Sequence, residues 1–144
     1  MDPLHSVLIN AIVEKSGKIL ISQRSQEEVH APGKWTIPGG KIDLTDGNVW
    51  NIVEKTCARE VEEETGVKIQ PQVQLLTNNT FIRSTGQHVV VLILLCHWQS
   101  GKAQPLEDTL STRWITQDEI NDYEFAPNVK TYIQQGFQAL QRLD

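Results

Sequence analysis

Sulfur and aromatic residues are scarce: two Cys, one Met, four Trp, two Tyr and three Phe in 144 residues. Cys57 and Cys96 stand far apart in apolar surroundings, which excludes a disulfide framework and a cysteine-rich metal centre. They are expected to be reduced core residues. Positive charge is also in deficit. Thirteen Lys and Arg against eighteen Asp and Glu give a formal charge of -5, which disfavours adhesion to nucleic-acid backbones or anionic membranes. No basic face or helix-turn-helix is recognisable, so no stable nucleic-acid partner is expected. The longest apolar run, Val89 to Cys96, has eight residues and is too short to cross a bilayer as a helix. The stretch MDPLHSVLIN carries an acid at residue 2 and lacks the basic start of an export signal. A cytoplasmic location with no membrane partner is the expectation.

What remains is an ordinary globular composition, 39% hydrophobic and 22% charged with a mean hydropathy of -0.33, of a size that suits one domain over residues 1–144. Ser6 to Val13 and Lys18 to Gln23 are apolar, strand-like segments around the turn Ser16-Gly17, and so predict a hairpin. Trp35 to Ile37 is a short apolar piece. Pro38-Gly39-Gly40 predicts a turn, since proline and two glycines oppose helix and sheet interiors. From Asn51 the period changes: Val53, Cys57 and Val61 recur four apart and predict an amphipathic helix ending at Gly66. Asn51 with Glu54 has the capping-box spacing, and Asn48 competes as the cap. One or two strands follow in Val67 to Phe81, then a turn at Ser84-Thr85-Gly86. The β-branched run His88 to Trp98 predicts a strand covered on both faces. Gly101 to Asp108 reads as a loop, Ser111 to Ile115 as a strand and Thr116 with Glu119 as a capping box. Pro127 is positioned to open a last helix with Val129, Ile133, Phe137 and Leu140 on its apolar side, despite Gly136. Many strands with few helices fit a mixed sheet with helices packed over it.

The chemically informative stretch is Arg59-Glu60-Val61-Glu62-Glu63-Glu64-Thr65-Gly66-Val67. Glu60 and Glu64 lie one helical turn apart, about 6 Å along the axis, and Glu63 is three residues from Glu60. Two such charges about 4 Å apart repel by roughly 4 kcal/mol at an effective dielectric near 20. The helix carboxyl end adds to that penalty. A hard divalent cation reverses it, and oxygen-only donors suit Mg²⁺ or Mn²⁺. The competing reading is a solvated helix face in which Arg59 pairs with Glu63; Glu62 points to another side as an exposed charge. The glycines after Pro38 let backbone approach a ligand closely.

Gly33-Lys34-Trp35-Thr36-Ile37-Pro38-Gly39-Gly40 followed by the Arg59 to Val67 run resembles the Nudix hydrolase family. The arginine-glutamate, apolar, glutamate-pair, glycine pattern is matched in full. The resemblance implies an α/β/α sandwich around a mixed sheet and metal-assisted cleavage of a diphosphate linked to another group, commonly a nucleoside. It implies Glu60, Glu63 and Glu64 as metal ligands with the Gly39 carbonyl, and Arg59 as their orienting partner. Family members place the base in the acidic helix or on a later loop. Glu64 represents the first arrangement; Glu107, in the loop before the strand carrying Trp114, represents the second as base or metal-water contact, with Asp108 its nearest competitor. Two departures stand out: the family's earlier glutamate falls on Asn51, and the loop from Gly40 to Asn51 is enlarged. Asp43 and Asp46 in that loop are candidates to compensate.

A nucleotide's base and sugar require an aromatic or apolar surface with selective hydrogen bonds. Arg24, Trp35, Phe81, Arg83, His88, Phe125 and Asn128 are the candidates. The first hypothesis is a Mg²⁺-dependent hydrolase of nucleoside triphosphates or other nucleoside-diphosphate-linked compounds. An ADP-sugar or dinucleoside-polyphosphate hydrolase, or a catalytically impaired nucleotide-binding module of the same fold, are the alternatives. A homodimer is a modest expectation.

Overall fold

The computed structural model describes residues 4–143. Apolar alternation and the tight turn at Ser16-Gly17 set up the first hairpin, β1 (His5–Lys15) and β2 (Lys18–Arg24). Next come β3 (Trp35–Thr36), β4 (Gly39–Lys41) and helix α1 (Ile52–Thr65). The strands β5 (Lys68–Ile69), β6 (Gln74–Ile82), β7 (His88–Ser100) and β8 (Thr109–Ile115) follow. A 3₁₀ turn at Gln117–Asp122 and helix α2 (Val129–Arg142) end the described chain. No helix among the described residues is long and apolar enough to cross a membrane.

The sheet is mixed. β1 and β7 run parallel from His5 opposite His88 to Glu14 opposite His97, and every other pair is antiparallel. Strand alternation sends side chains to two cores. Ile12, Val91, Ile93 and Leu95 face Ile133 and Phe137 of α2. Ile9, Ala11, Val13, Leu94 and Cys96 face Cys57 and Val61 of α1. This is the α/β/α sandwich, and the central strand β7 is covered on both sides as its apolar run implies. Cys57 and Cys96 are free and buried across the α1–β7 seam, with their sulfurs 3.5 Å apart. The hydrogen bond with the Cys57 thiol, together with burial, holds the Cys96 thiol well above its ordinary range.

The sheet also creates the space for a site. β1 pairs with β2 only at the hairpin end, through Glu14–Ile19 and Lys15–Lys18. Farther along, β1 turns to β4 through Leu8, Ile9 and Asn10, while β2 pairs with β3 and β8. The strands part, and a cleft opens between them.

Three expectations are corrected here. Gly39-Gly40 belongs to strand β4 rather than to a turn. A Cβ at Gly39 would fall 2.9 Å from the Asn10 Cα, so only glycine permits this close strand pairing. Asn51 is the cap of α1, but its backbone is left-handed (φ 60, ψ 38) and its side chain makes no cap bond. The capping box with Glu54 therefore does not form. Pro127 precedes α2 rather than opening it; Asn128, also left-handed at φ 73, is the cap, again without a side-chain bond. By contrast, the Thr116–Glu119 box is complete.

Gly136 has a packing reason. A Cβ there would stand 2.8 Å from Ile12 Cγ2 and 3.2 Å from Ile19 Cδ1, so α2 uses the glycine to lie close on β1 and β2. Alanine gains up to about 1 kcal/mol in helix propensity but overpacks a filled core at a cost of about 1–3 kcal/mol. Gly136→Ala is expected to lower Tm by roughly 3 °C in calorimetry; an unchanged or higher Tm would mean that the two isoleucines yield freely.

Candidate active site

Helix α1 presents its acidic edge to β4. Val53, Cys57 and Val61 turn one face to the sheet, which leaves Glu60, Glu63 and Glu64 on the side toward the cleft rim and solvent. Glu64 is drawn inward, where Oε2 accepts a hydrogen bond from the Gly39 N–H at 3.1 Å. Burial pushes its carboxyl up from 4.5 to about 8; the Gly39 bond opposes this, the charges of Glu60 and Glu107 add to it, and Arg24 pulls the other way. Glu60 is raised in the same direction, first by burial and against the Arg59 hydrogen bond, with Glu63 and Glu107 contributing repulsion. The Glu60 carboxylate occupies the space above Gly40, where a Cβ would come within 2.6 Å of Oε1. Glu60, Glu64 and Glu107 thus share one electrostatic neighbourhood. Glu63 is more exposed and faces Arg59, whose Nε lies 3.9 Å from its Oε1. Among the described residues, no three His, Cys, Asp or Glu side chains are closed into a metal-holding group.

Two cavities meet in the cleft. The first, about 350 Å³, is polar and is walled by Gly39, Gly40, Glu64, Glu107 and Asp108 on one side and by Arg24, Glu28 and Lys41 elsewhere. The second, about 660 Å³, is lined by Phe81, Val91, Ala126, Pro127, Asn128 and Tyr132, with His30 and Lys34 at its edge. Leu8, Asn10, Arg24, Thr36 and Arg83 line both. Arg24 is held by its own loop: Nε donates to the His30 carbonyl at 2.8 Å and Nη2 to Glu28 at 3.2 Å. Lys34 is paired with Glu124. Among the described residues, Arg83 and Lys41 enter no ion pair.

Of the residues singled out from sequence, Arg24, Phe81, Arg83, Asn128, Gly39, Glu64 and Glu107 line these cavities. Glu60 and Arg59 flank them from α1. Gly39 engages Glu64 through its N–H. Glu107 has a left-handed backbone, φ 35, a conformation that costs a non-glycine residue energy and recurs at functional sites. Trp35, His88 and Phe125 are placed elsewhere. Trp35 packs edge-on against Tyr123 with ring centroids 5.0 Å apart, and Tyr123 in turn meets Phe125. His88 stands exposed at the start of β7 against the ring of His5. Asn10, Glu28 and Lys41 were not anticipated. Asn10 had a signal, a lone carboxamide inside an apolar strand; Glu28 and Lys41 enter through tertiary placement alone.

The two-faced sandwich thus holds, between its parted strands, a carboxylate-lined polar chamber beside a larger, more apolar one. The NUDIX domain family matches residues 3–135. A MutT-like protein of Streptomyces ambofaciens is 30% identical over 121 residues, covering 83% of this chain and 70% of that protein. A CTP pyrophosphohydrolase of Escherichia coli K12 is 27% identical over 125 residues, covering 83% and 82%. The solved MutT Nudix hydrolase of Burkholderia pseudomallei superimposes with a TM-score of 0.75 at 26% identity, covering 92% of this chain and 98% of its own. The chain belongs to the Nudix family, and it is a pyrophosphohydrolase of that family.

Proposed function

We propose that the protein hydrolyses a nucleoside triphosphate at an internal pyrophosphate bond with Mg²⁺ or Mn²⁺ as cofactor. The observation that carries this reading is the placement of the inward-turned Glu64 carboxyl, held by the Gly39 N–H at 3.1 Å, in the wall of a polar chamber shared with Glu107, Arg24 and Arg83. Buried carboxylates that repel one another are an incomplete arrangement, and an all-oxygen donor set with substrate phosphates is the usual complement of Mg²⁺. Glu60, Glu63 and Glu64 would hold it. When bound, the metal neutralises phosphate charge and lowers the pKa of water.

The protein's own groups do the rest. Arg83 and Lys41, which enter no ion pair among the described residues, receive the phosphates, and Arg24 spans both cavities to fix the link between phosphate and nucleoside. Phe81 offers an apolar wall to the base, and the Asn128 carboxamide, unused as a helix cap, hydrogen-bonds its edge. Arg59 orients Glu60 and Glu63. Glu107, in the chamber wall beside Glu64, accepts the proton of the attacking water. The CTP pyrophosphohydrolase relative supports a nucleotide-derived ligand.

The test is a panel of nucleoside triphosphates, ADP-ribose and dinucleoside polyphosphates with Mg²⁺ or Mn²⁺, resolving the products. A nucleoside triphosphate converted to monophosphate and pyrophosphate, and lost on chelation, is the expected result. Turnover confined to ADP-ribose or dinucleotides would replace the substrate assignment, and turnover undiminished by chelation would remove the metal.

A further inference from the structure

The enlarged loop between β4 and α1 carries two aspartates, and one of them, Asp43, reaches the acidic helix. Arg59 is the hub. Its Nη2 lies 3.4 Å from Asp43 Oδ2 and 3.2 Å from Glu60 Oε1, while Nε approaches Glu63 at 3.9 Å. One terminal nitrogen is therefore divided between a loop carboxylate and a helix carboxylate. Asp46 makes no ion pair among the described residues, and Asn51, at the helix entrance, contributes neither charge nor a side-chain cap.

We infer that Asp43 is a positioning residue that acts through Arg59 to leave the Glu60 and Glu63 carboxylates available to a divalent cation. This inference rests on the metal reading proposed above. An arginine beside candidate ligands has two opposed effects. Its planar fork fixes their direction, but a full guanidinium charge on a carboxylate competes with any cation for the same oxygens. Asp43 changes the balance because it draws on the very nitrogen that binds Glu60. With Asp43 present, Arg59 keeps its geometry and presses less charge on Glu60. Without Asp43, Nη2 rests on Glu60 alone.

The Asp43–Arg59 pair is solvent-exposed, 66% and 43% at the side chains, and such pairs contribute little to folding. A structural role therefore predicts almost no phenotype for its loss, whereas a role in presenting ligands predicts a specific one. The pair also gives the long 42–51 loop a function: it delivers an acid to the Arg59 side of α1.

Direct Mn²⁺ binding, read by paramagnetic resonance of the free ion in the absence of substrate, tests the inference. Asp43→Asn is expected to weaken Mn²⁺ binding about fivefold with Tm unchanged, and Asp43→Glu to recover most of that loss. Asp46→Asn, the same charge change in the same loop, should alter binding less than twofold. In an Arg59→Gln background, Asp43→Asn should lose most of its effect. Equal weakening by Asp43→Asn and Asp46→Asn, persistence of the effect without Arg59, or wild-type affinity in Asp43→Asn would each overturn the assignment. A wild-type protein that binds no Mn²⁺ would overturn the metal reading together with it.

Discussion

Glu64→Gln is expected to reduce turnover by about a thousandfold while leaving the protein folded. The substitution keeps the shape of the side chain and an oxygen that can accept the Gly39 N–H, which donates to Oε2 at 3.1 Å in the native protein. What disappears is the negative charge. Removing a charged group that holds a metal or handles a proton at the reacting centre costs about 10²–10⁴ in rate. Glu62→Gln is the matched control: Glu62 belongs to the same helix, is exposed and, among the described residues, enters no ion pair. Steady-state rates on a substrate verified by the product panel measure the difference. A loss below tenfold for Glu64→Gln, or an equal loss for Glu62→Gln, would exclude Glu64 from the chemistry.

The same carboxyl predicts a large dependence of stability on pH once divalent ions are chelated. Glu64 titrates near 8 in the folded protein, against an ordinary value of 4.5. Between these values the native state carries a proton that the unfolded chain has released, so stability falls as pH rises through the window. The contribution is fully favourable below about 4.5 and is lost above about 8. At about 1.4 kcal/mol for each pH unit, the interval carries on the order of 5 kcal/mol, or roughly 15 °C in Tm. Glu60, displaced in the same direction, adds to the slope. Denaturant melts in EDTA from pH 5 to 9 should therefore show a declining wild-type curve and a much flatter one for Glu64→Gln, which cannot ionise. The variant is expected to be the more stable protein at pH 9 and the inactive one, a separation of stability from function typical of a site built on mutual repulsion. Parallel curves for the two proteins would refute the placement of a desolvated acid at 64.

Elements with a strong period were legible in the residues themselves. The four-residue spacing of Val53, Cys57 and Val61 predicted α1, and the apolar run in β7 predicted a strand buried on both faces, because each pattern reports which side meets the core. Caps were less legible. Thr116 with Glu119 and Asn51 with Glu54 have the same spacing, yet only the first forms a capping box. Thr116 has the extended backbone, φ -87 and ψ 167, that this geometry needs, whereas Asn51 is left-handed. No local pattern distinguishes them, since the approach of the preceding loop sets that dihedral.

The candidate site divides in the same way. Glu60, Glu63 and Glu64 lie on one helix, so their spacing alone gives them a shared edge, from which Glu64 turns inward to Gly39 and Glu63 outward to Arg59. Trp35 was misplaced because an aromatic ring suits a core and a ligand equally; here it belongs to the packing with Tyr123. Asn10 and Glu28 come from β1 and the loop after β2, and only the parting of those strands brings them to the chamber.

The parallel ladder between β1 and β7 has a consequence for how the molecule is made. Ten residues of the first strand, His5 to Glu14, wait for partners between His88 and His97. A ribosome must therefore complete about two thirds of the chain before the first strand can acquire its longest neighbour. Until then, a β-branched apolar segment remains without its main ladder, the circumstance in which nascent chains recruit chaperones or associate with one another. Final closure of the sheet belongs to the late stage of biosynthesis, after β7 has emerged.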